Sequence, residues 1–358
     1  MASIYLYGII EGMAEVDLGI AGVDGASPVY TVAGDGLGCV VSDYEGPGFG
    51  ALSKEALLRS LVAHQRVAEK AMQLHYHTVV PIKFGTLLNG GQAVRELLTQ
   101  GHSVFRGALA SMRDKVEIEV AATWEIKRAL QEVGQEEEVA RAREAIAPGG
   151  SATLEDKVHL GQVVKACLDR RRDAYRERMV EVLRPLAVGV APNALVAEEM
   201  VMNVAFLVER ERQREFDERV RELDSLFDDE VTFRVIGPLP PYSFSAVEVT
   251  RLSDVQIEEA RQELELPDTF SETEVRRAYR RLAAREQRKA LPGATVTADR
   301  LARVRQASEV LLACCGAQAL QSYGGPLGGN EKSLFVIAVR GTGHQEIDAA
   351  RFGGAIRV

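Results

Sequence analysis

Residues 61–88, LVAHQRVAEKAMQLHYHTVVPIKFGTLL, change their period within a few positions, and that change constrains the fold more than any other stretch. Leu57, Leu61, Ala68 and Ala71 are spaced by threes, fours and sevens, and Leu58, Val62 and Met72 widen the same stripe. Then Thr78-Val79-Val80 is β-branched, Pro81 has no N–H for a ladder, and Phe84-Gly85-Thr86 comes at once. The spacing predicts an amphipathic helix that feeds a short strand, a proline-marked edge and a glycine-marked bend. Ser53 suits the N-cap of that helix, with Glu55 in its first turn.

The flanks supply a sheet. Residues 3–10, SIYLYGII, read as a strand, and Cys39-Val40-Val41-Ser42 as another. Residues 22–38 read as loop enclosing a short strand, Val29-Tyr30-Thr31-Val32. A second helix is expected over 92–112, with Gly101 its weak point. The first domain is thus expected over 1–115, as an α+β sandwich with helices on one face of a largely antiparallel sheet.

A second α+β domain is expected over 116–252. Val116, Ile118 and Val120 alternate with Glu117 and Glu119, which places both glutamates on the solvated side of a half-buried strand. Helix is expected next over 125–147 and 153–186, strand at 188–190 and 200–208, helix at 209–227 and strand at 231–236. The order β-α-β-β-α-β is that of the ferredoxin-like fold.

A small helical module is expected over 253–325, and a linker with one more strand, SLFVIAV at 333–339, over 326–358. Ser271-x-x-Glu274 is a capping box that opens a basic helix. Ten Lys/Arg stand against Glu286 and Asp299 over residues 276–305, a local charge of +8 in a chain of −9. The last strand cannot stand alone and is expected on the edge of an earlier sheet.

Composition limits the function classes. Hydrophobic residues make up 46% and charged residues 27%, and no apolar run reaches the ~18 residues of a membrane span. The N-terminus shows no basic-then-apolar leader, so a cytoplasmic protein is expected. A net charge of −9 argues against a general nucleic-acid surface, and the basic helix lacks aromatic interleaving apart from Tyr279.

Cys39, Cys167, Cys314 and Cys315 have no disulfide or zinc spacing. His75-x-His77 has no third ligand nearby, and His64 on the apolar side of its helix reads as structural. Gly34-Asp35-Gly36-Leu37-Gly38 lacks the Lys-Ser/Thr of a phosphate loop, and no nucleophile-and-base motif is present. No catalytic residue, cofactor or metal is assigned.

Several segments together resemble the gas vesicle protein F/L family (GvpF/GvpL). They are Tyr5-Leu6-Tyr7-Gly8-Ile9, His64-Gln65-x-Val67, Val80-Pro81-Ile82-Lys83-Phe84-Gly85-Thr86, the strand 116–124 and Pro240-Pro241-Tyr242-Ser243-Phe244. The resemblance covers residues 1–249. It implies a non-enzymatic accessory protein of gas vesicle assembly with two α+β domains, the first ferredoxin-like. By the same resemblance, the partner would be the small hydrophobic shell protein (GvpA-type), whose aggregation it limits and whose nucleation into vesicles it assists, some members being minor vesicle components; the alternative is an adaptor that binds other vesicle accessory proteins or a chaperone through the basic helical module.

The stretch 274–283, EVRRAYRRLA, resembles the second helix of a J-domain. Gln287-Arg288-Lys289 stands where that family has His-Pro-Asp, which implies no stimulation of a chaperone ATPase. Candidate partner-binding residues are therefore Tyr5, Tyr7, Pro81, Lys83 and Phe84 from the motifs, and Arg276, Arg277, Arg280 and Arg281 from the basic helix.

Overall fold

β1 (Ser3–Glu11) is the centre of the first sheet, and seven consecutive residues of it are buried. A strand buried on both faces needs cover on both. It runs antiparallel to β4 (Leu37–Tyr44) on one side, and to β5 (Val79–Pro81) and β6 (Leu87–Asn89) on the other. β2 (Asp17–Ala21) and β3 (Pro28–Gly34) complete the order β2-β3-β4-β1-β5. The computed structural model describes residues 3–12, 14–74, 78–146, 153–227, 230–289, 295–320 and 334–340.

α1 (Lys54–Leu74) starts at Ser53, whose Oγ accepts the Ala56 N–H at 3.2 Å. It covers the side of the sheet that carries Tyr5 and Tyr7. α2 (Gly90–Gln100) and α3 (His102–Met112) pack with Ile4, Leu6 and Ile9 through Val94, Leu97, Leu98 and Phe105. Helices therefore lie on both faces, not on one, because β1 has apolar residues at odd and even positions alike.

Two local expectations change. The single helix over 92–112 breaks at Gly101, where a Cβ would sit 2.6 Å from Ile337 Cδ1 and closer still to the Phe105 ring. The glycine stretch at 34–38 is a tight hairpin rather than a loop: Asp35 and Gly36, at φ 53° and 77°, join β3 to β4. Asp-Gly between β-rich runs is the signal that marks such a turn.

The second unit contains β7 (Lys115–Trp124), α4 (Ile126–Val133), α5 (Glu137–Ile146), α6 (Leu154–Leu183), β8 (Gly189–Pro192), β9 (Met200–Glu209), α7 (Gln213–Leu226) and β10 (Val231–Leu239). The strand order β10-β7-β9-β8 is antiparallel throughout, the fourth-first-third-second order of a ferredoxin-like sheet. The expected helix 125–147 divides at Gly134 into α4 and α5. α6 opens with a capping box between Thr153 and Asp156. Phe216, Val220 and Leu223 of α7 are buried, and Phe216 meets Phe206 of β9 at 5.3 Å.

The chain then returns. β11 (Ala246–Leu252), a strand that its mixed sequence does not announce, precedes α8 (Asp254–Glu263), α9 (Glu272–Lys289) and α10 (Thr295–Leu320), and β12 (Leu334–Arg340) pairs with β11. Val275, Ala278 and Leu282 of α9 share a core with Ala260 and Leu264 and with Val304 and Leu311 of α10.

Compact packing groups Met1–Ser111 with Val247–Val339, and Met112–Ala246 forms the body of the other unit. The boundaries expected at 115 and 252 shift for that reason: β11 belongs with the first unit. The ferredoxin-like order expected of the first unit also differs from what is found there. Hairpins link β2, β3 and β4, so no helix crosses between them, and the ferredoxin-like sheet is that of the second unit.

Candidate partner-binding site

The Pro81–Thr86 segment is positioned by an aromatic cluster centred on Tyr5, whose ring meets Tyr7, Tyr44, Phe49, His64 and Phe84. α1 directs His64 at the sheet, where its Nδ1 lies 2.9 Å from the Tyr5 hydroxyl and its ring stacks on Tyr7 with centroids 5.6 Å apart. The Tyr5 oxygen also accepts the Gly85 N–H at 3.0 Å, so His64 Nδ1 is assigned as the acceptor of the Tyr5 proton. The Tyr7 oxygen accepts the Val23 N–H at 2.9 Å and pairs with Ser42 Oγ at 2.9 Å.

Burial pushes the His64 imidazole down to about 4, against a backbone hydrogen bond at Ile82 that acts the other way. The ring is therefore neutral at pH 7 and structural.

This arrangement sorts the candidate residues. Tyr5, Tyr7 and Pro81 are buried, so they cannot be the contact surface expected of them. They hold in place what is accessible. Phe84 is half-buried, with its ring 4.9 Å from Phe49 and 5.6 Å from His64, and Gly85 turns the backbone at φ 85°. Lys83 is exposed and its Nζ lies 2.5 Å from Glu248.

On α1, Leu58 and Val62 are 40% and 60% exposed. Their spacing predicts both within the buried stripe. The stripe is in fact wider than the face its unit covers, and width is the only signal in the sequence that points to it. Phe49, preceded by the loop glycines, carries no periodic signal at all.

The arginines separate in the same way. Arg276 pairs with Glu272 at 2.6 Å and Arg281 with Glu265 at 3.2 Å. Arg277 and Arg280 are exposed, and among the described residues no carboxylate lies within ion-pair distance of either. Residues 254–320 carry eleven acidic and eleven basic side chains, so the basic patch expected from 276–305 is largely neutralised, by Glu263 at the end of α8, Glu265 just past it and Glu272 at the start of α9.

Other expected features are of lesser account. His75 and His77 lie outside the described residues. Cys314 and Cys315 are free, and burial raises both thiols. No group of His, Cys, Asp and Glu able to hold a metal occurs among the described residues, and no helix there is long and apolar enough to cross a membrane.

Glu117 is a real departure. Expected on the solvated side of β7, it is 1% exposed and accepts the Ser243 N–H at 2.7 Å and the Ser243 hydroxyl at 2.8 Å. Burial pushes its carboxyl up to about 7, opposed by those two hydrogen bonds.

The family model for gas vesicle synthesis protein GvpL/GvpF matches residues 3–246. Gas vesicle protein F of Nostoc sp. is 26% identical over 247 residues, 69% of this chain and 99% of the relative. Gas vesicle protein F of Streptomyces sp. is 30% identical over 250 residues, 68% of this chain and 99% of the relative. The crystal structure of GvpF from Anabaena sp. superposes with a TM-score of 0.58 at 25% identity, over 68% of this chain and 98% of that one. The chain belongs to the GvpL/GvpF family of gas vesicle synthesis proteins.

Proposed function

We propose that this protein acts in gas vesicle assembly by binding, without catalysis, and that its partner is the small hydrophobic shell subunit. The family match over residues 3–246 carries this reading. Half-buried Phe49 and Phe84 and the exposed Leu58 and Val62 support the first unit as the contacting part, since such side chains offer an apolar subunit a surface to cover. By shielding that subunit until it is incorporated, the protein limits its aggregation and assists nucleation. The site of action is the cytoplasm, at the growing vesicle.

Light scattering tests this. Purified shell protein diluted out of denaturant should scatter less when the full-length chain is present. Val62→Asp combined with Phe84→Asp should restore most of the scattering while leaving the fold intact by circular dichroism. Identical scattering with and without the wild-type chain would rule the reading out.

One observation favours a second contact, with another vesicle accessory protein. Arg277 and Arg280 are a pair of exposed cations with no carboxylate within ion-pair distance among the described residues. Reversing both to Glu should weaken capture of that partner about tenfold at low salt and flatten its salt dependence. Binding that is unchanged, at low and high salt alike, would remove the contact.

A further inference from the structure

The family match stops at Ala246, the first residue of β11, and the Nostoc relative is all but used up by its match, since 69% of this chain accounts for 99% of it. Most of the chain beyond Ala246 is an addition to the length of that relative, and the first of its two strands, β11, lies beside Ile82 and Lys83. Ile82 bridges Val247 in parallel, and the Lys83 N–H donates to the Val247 carbonyl at 2.8 Å. Lys83 pairs with Glu248 beside it.

The β11–β12 ribbon has two faces that alternate with period two. Val247, Val249, Phe335, Ile337 and Val339 join the core of the first unit, where Phe335 is 2% exposed, and the Phe335 N–H donates to Gln100 Oε1 at 3.1 Å. Leu252, Leu334 and Val336 face the other way and pack with Val310 and Cys314 of α10. The ribbon is thus a plate between the apolar core of the first unit and the helical module.

Its hold on residues 82–84 is nonetheless slight in backbone terms. Among the described residues, one isolated bridge with one N–H···O bond stands where a full strand would form a ladder. Side-chain burial and the module keep the ribbon in place; backbone pairing contributes little. An incoming extended segment could form the ladder that β11 does not.

We propose that the ribbon is a strap: β11 occupies, within the chain, the strand position beside Ile82–Phe84 that an extended apolar segment of the shell subunit takes when it binds, and β11 must leave for that to happen. The strap rests on the shell-binding reading above. It makes binding by this protein conditional in a way that relatives matched over nearly their whole length, such as the Nostoc protein, lack the residues of β12 to reproduce. The helical module, clamped to the ribbon at Leu252, Leu334 and Cys314, is the handle through which the strap can be moved.

Two full-length variants test it. Phe335→Ala removes the ring that anchors the ribbon, and Glu248→Ala removes the carboxylate that pairs with Lys83. Amide hydrogen exchange over residues 79–88 and capture of purified shell protein are measured on each beside the wild type. Exchange and capture should both rise, by roughly tenfold for Phe335→Ala and by less for Glu248→Ala. If Phe335→Ala fails to fold, Glu248→Ala decides alone. Faster exchange with capture no greater than wild type overturns the strap and leaves shell binding standing. Unchanged exchange in both variants also overturns it, since the ribbon would then not be what protects the edge. Absence of capture by any of the three proteins overturns shell binding itself, and the strap with it.

Discussion

Replacing Glu117 with Gln should make the second unit less sensitive to pH, with a difference between variant and wild type that grows by roughly 3 kcal/mol from pH 5 to pH 8. The folded carboxyl is pushed up to about 7 from an ordinary value of 4.5, so the folded state holds a proton that the unfolded chain releases between those limits. Stability from this group is therefore complete below about pH 4.5 and is lost as pH rises through 7. Glutamine keeps an acceptor for Ser243 and cannot ionise, so the loss disappears with it. The fixed cost of the substitution is the same at every pH and drops out of the comparison.

Trp124, the protein's single tryptophan, lies on β7 with Glu117 and reports this unit by fluorescence during urea unfolding. A difference that stays constant from pH 5 to 8 would show that Glu117 is ionised throughout. The groups facing it decide how steep the loss is. Glu119 is the nearest charge on the same strand and its carboxyl is also raised by burial, opposed by Arg234 of β10. Leu207 of β9 and Leu239 of β10 stand directly opposite Glu117 and contribute no charge.

The first unit should respond in the opposite direction. His64 is buried and neutral, and its imidazole is pushed down to about 4 from 6.5, so the unfolded chain binds a proton that the folded one refuses. Stability is complete above about pH 6.5 and should fall by roughly 3 kcal/mol as pH drops through 4. His64→Phe removes that slope. It also costs on the order of 1–2 kcal/mol at pH 7, because the Tyr5 hydroxyl loses its acceptor inside the cluster. The imidazole proton shifts of wild-type His64, followed by NMR, give a direct check. Titration near pH 6.5 would mean that the ring is open to water and that the aromatic cluster does not close over it. With two units responding oppositely, the whole chain is expected to be most stable between about pH 5 and 6.5.

Much of the fold is legible in the sequence because it depends on short-range pattern. The change of period over 61–88 marks α1 and β5, Ser53 and the Ser271/Glu274 box mark helix starts, and the order of elements over 116–236 marks the ferredoxin-like sheet. Gly101 is visible as a weak point, though not as the place where the helix stops. β2 and β11 are not legible. β2 is five residues long with Gly19 at its centre, and β11 mixes Glu248, Thr250 and Arg251 among its apolar positions. Neither is a strand until a neighbour pairs with it.

The candidate site is harder to read, because contact and support look alike in a motif. Tyr5 and Pro81 belong to the same motifs as Phe84, yet only burial shows that the first two hold the segment while Phe84 reaches the surface. Charge misleads for the same reason. A run of arginines is basic in sequence, but the glutamates that neutralise Arg276 and Arg281 come from positions 4 and 16 residues earlier.

The sequence by itself determined the class of most elements, the family and the presence of a module beyond it, since periodicity, caps and motifs are properties of neighbouring residues. Tertiary structure alone decided which residues are surface and where the chain's last described strand goes. Burial of Glu117 requires Ser243, 126 residues away, and the pairing at Ile82 and Lys83 requires Val247, which returns only after the whole second unit. Those are long-range contacts, and only folding brings their partners together.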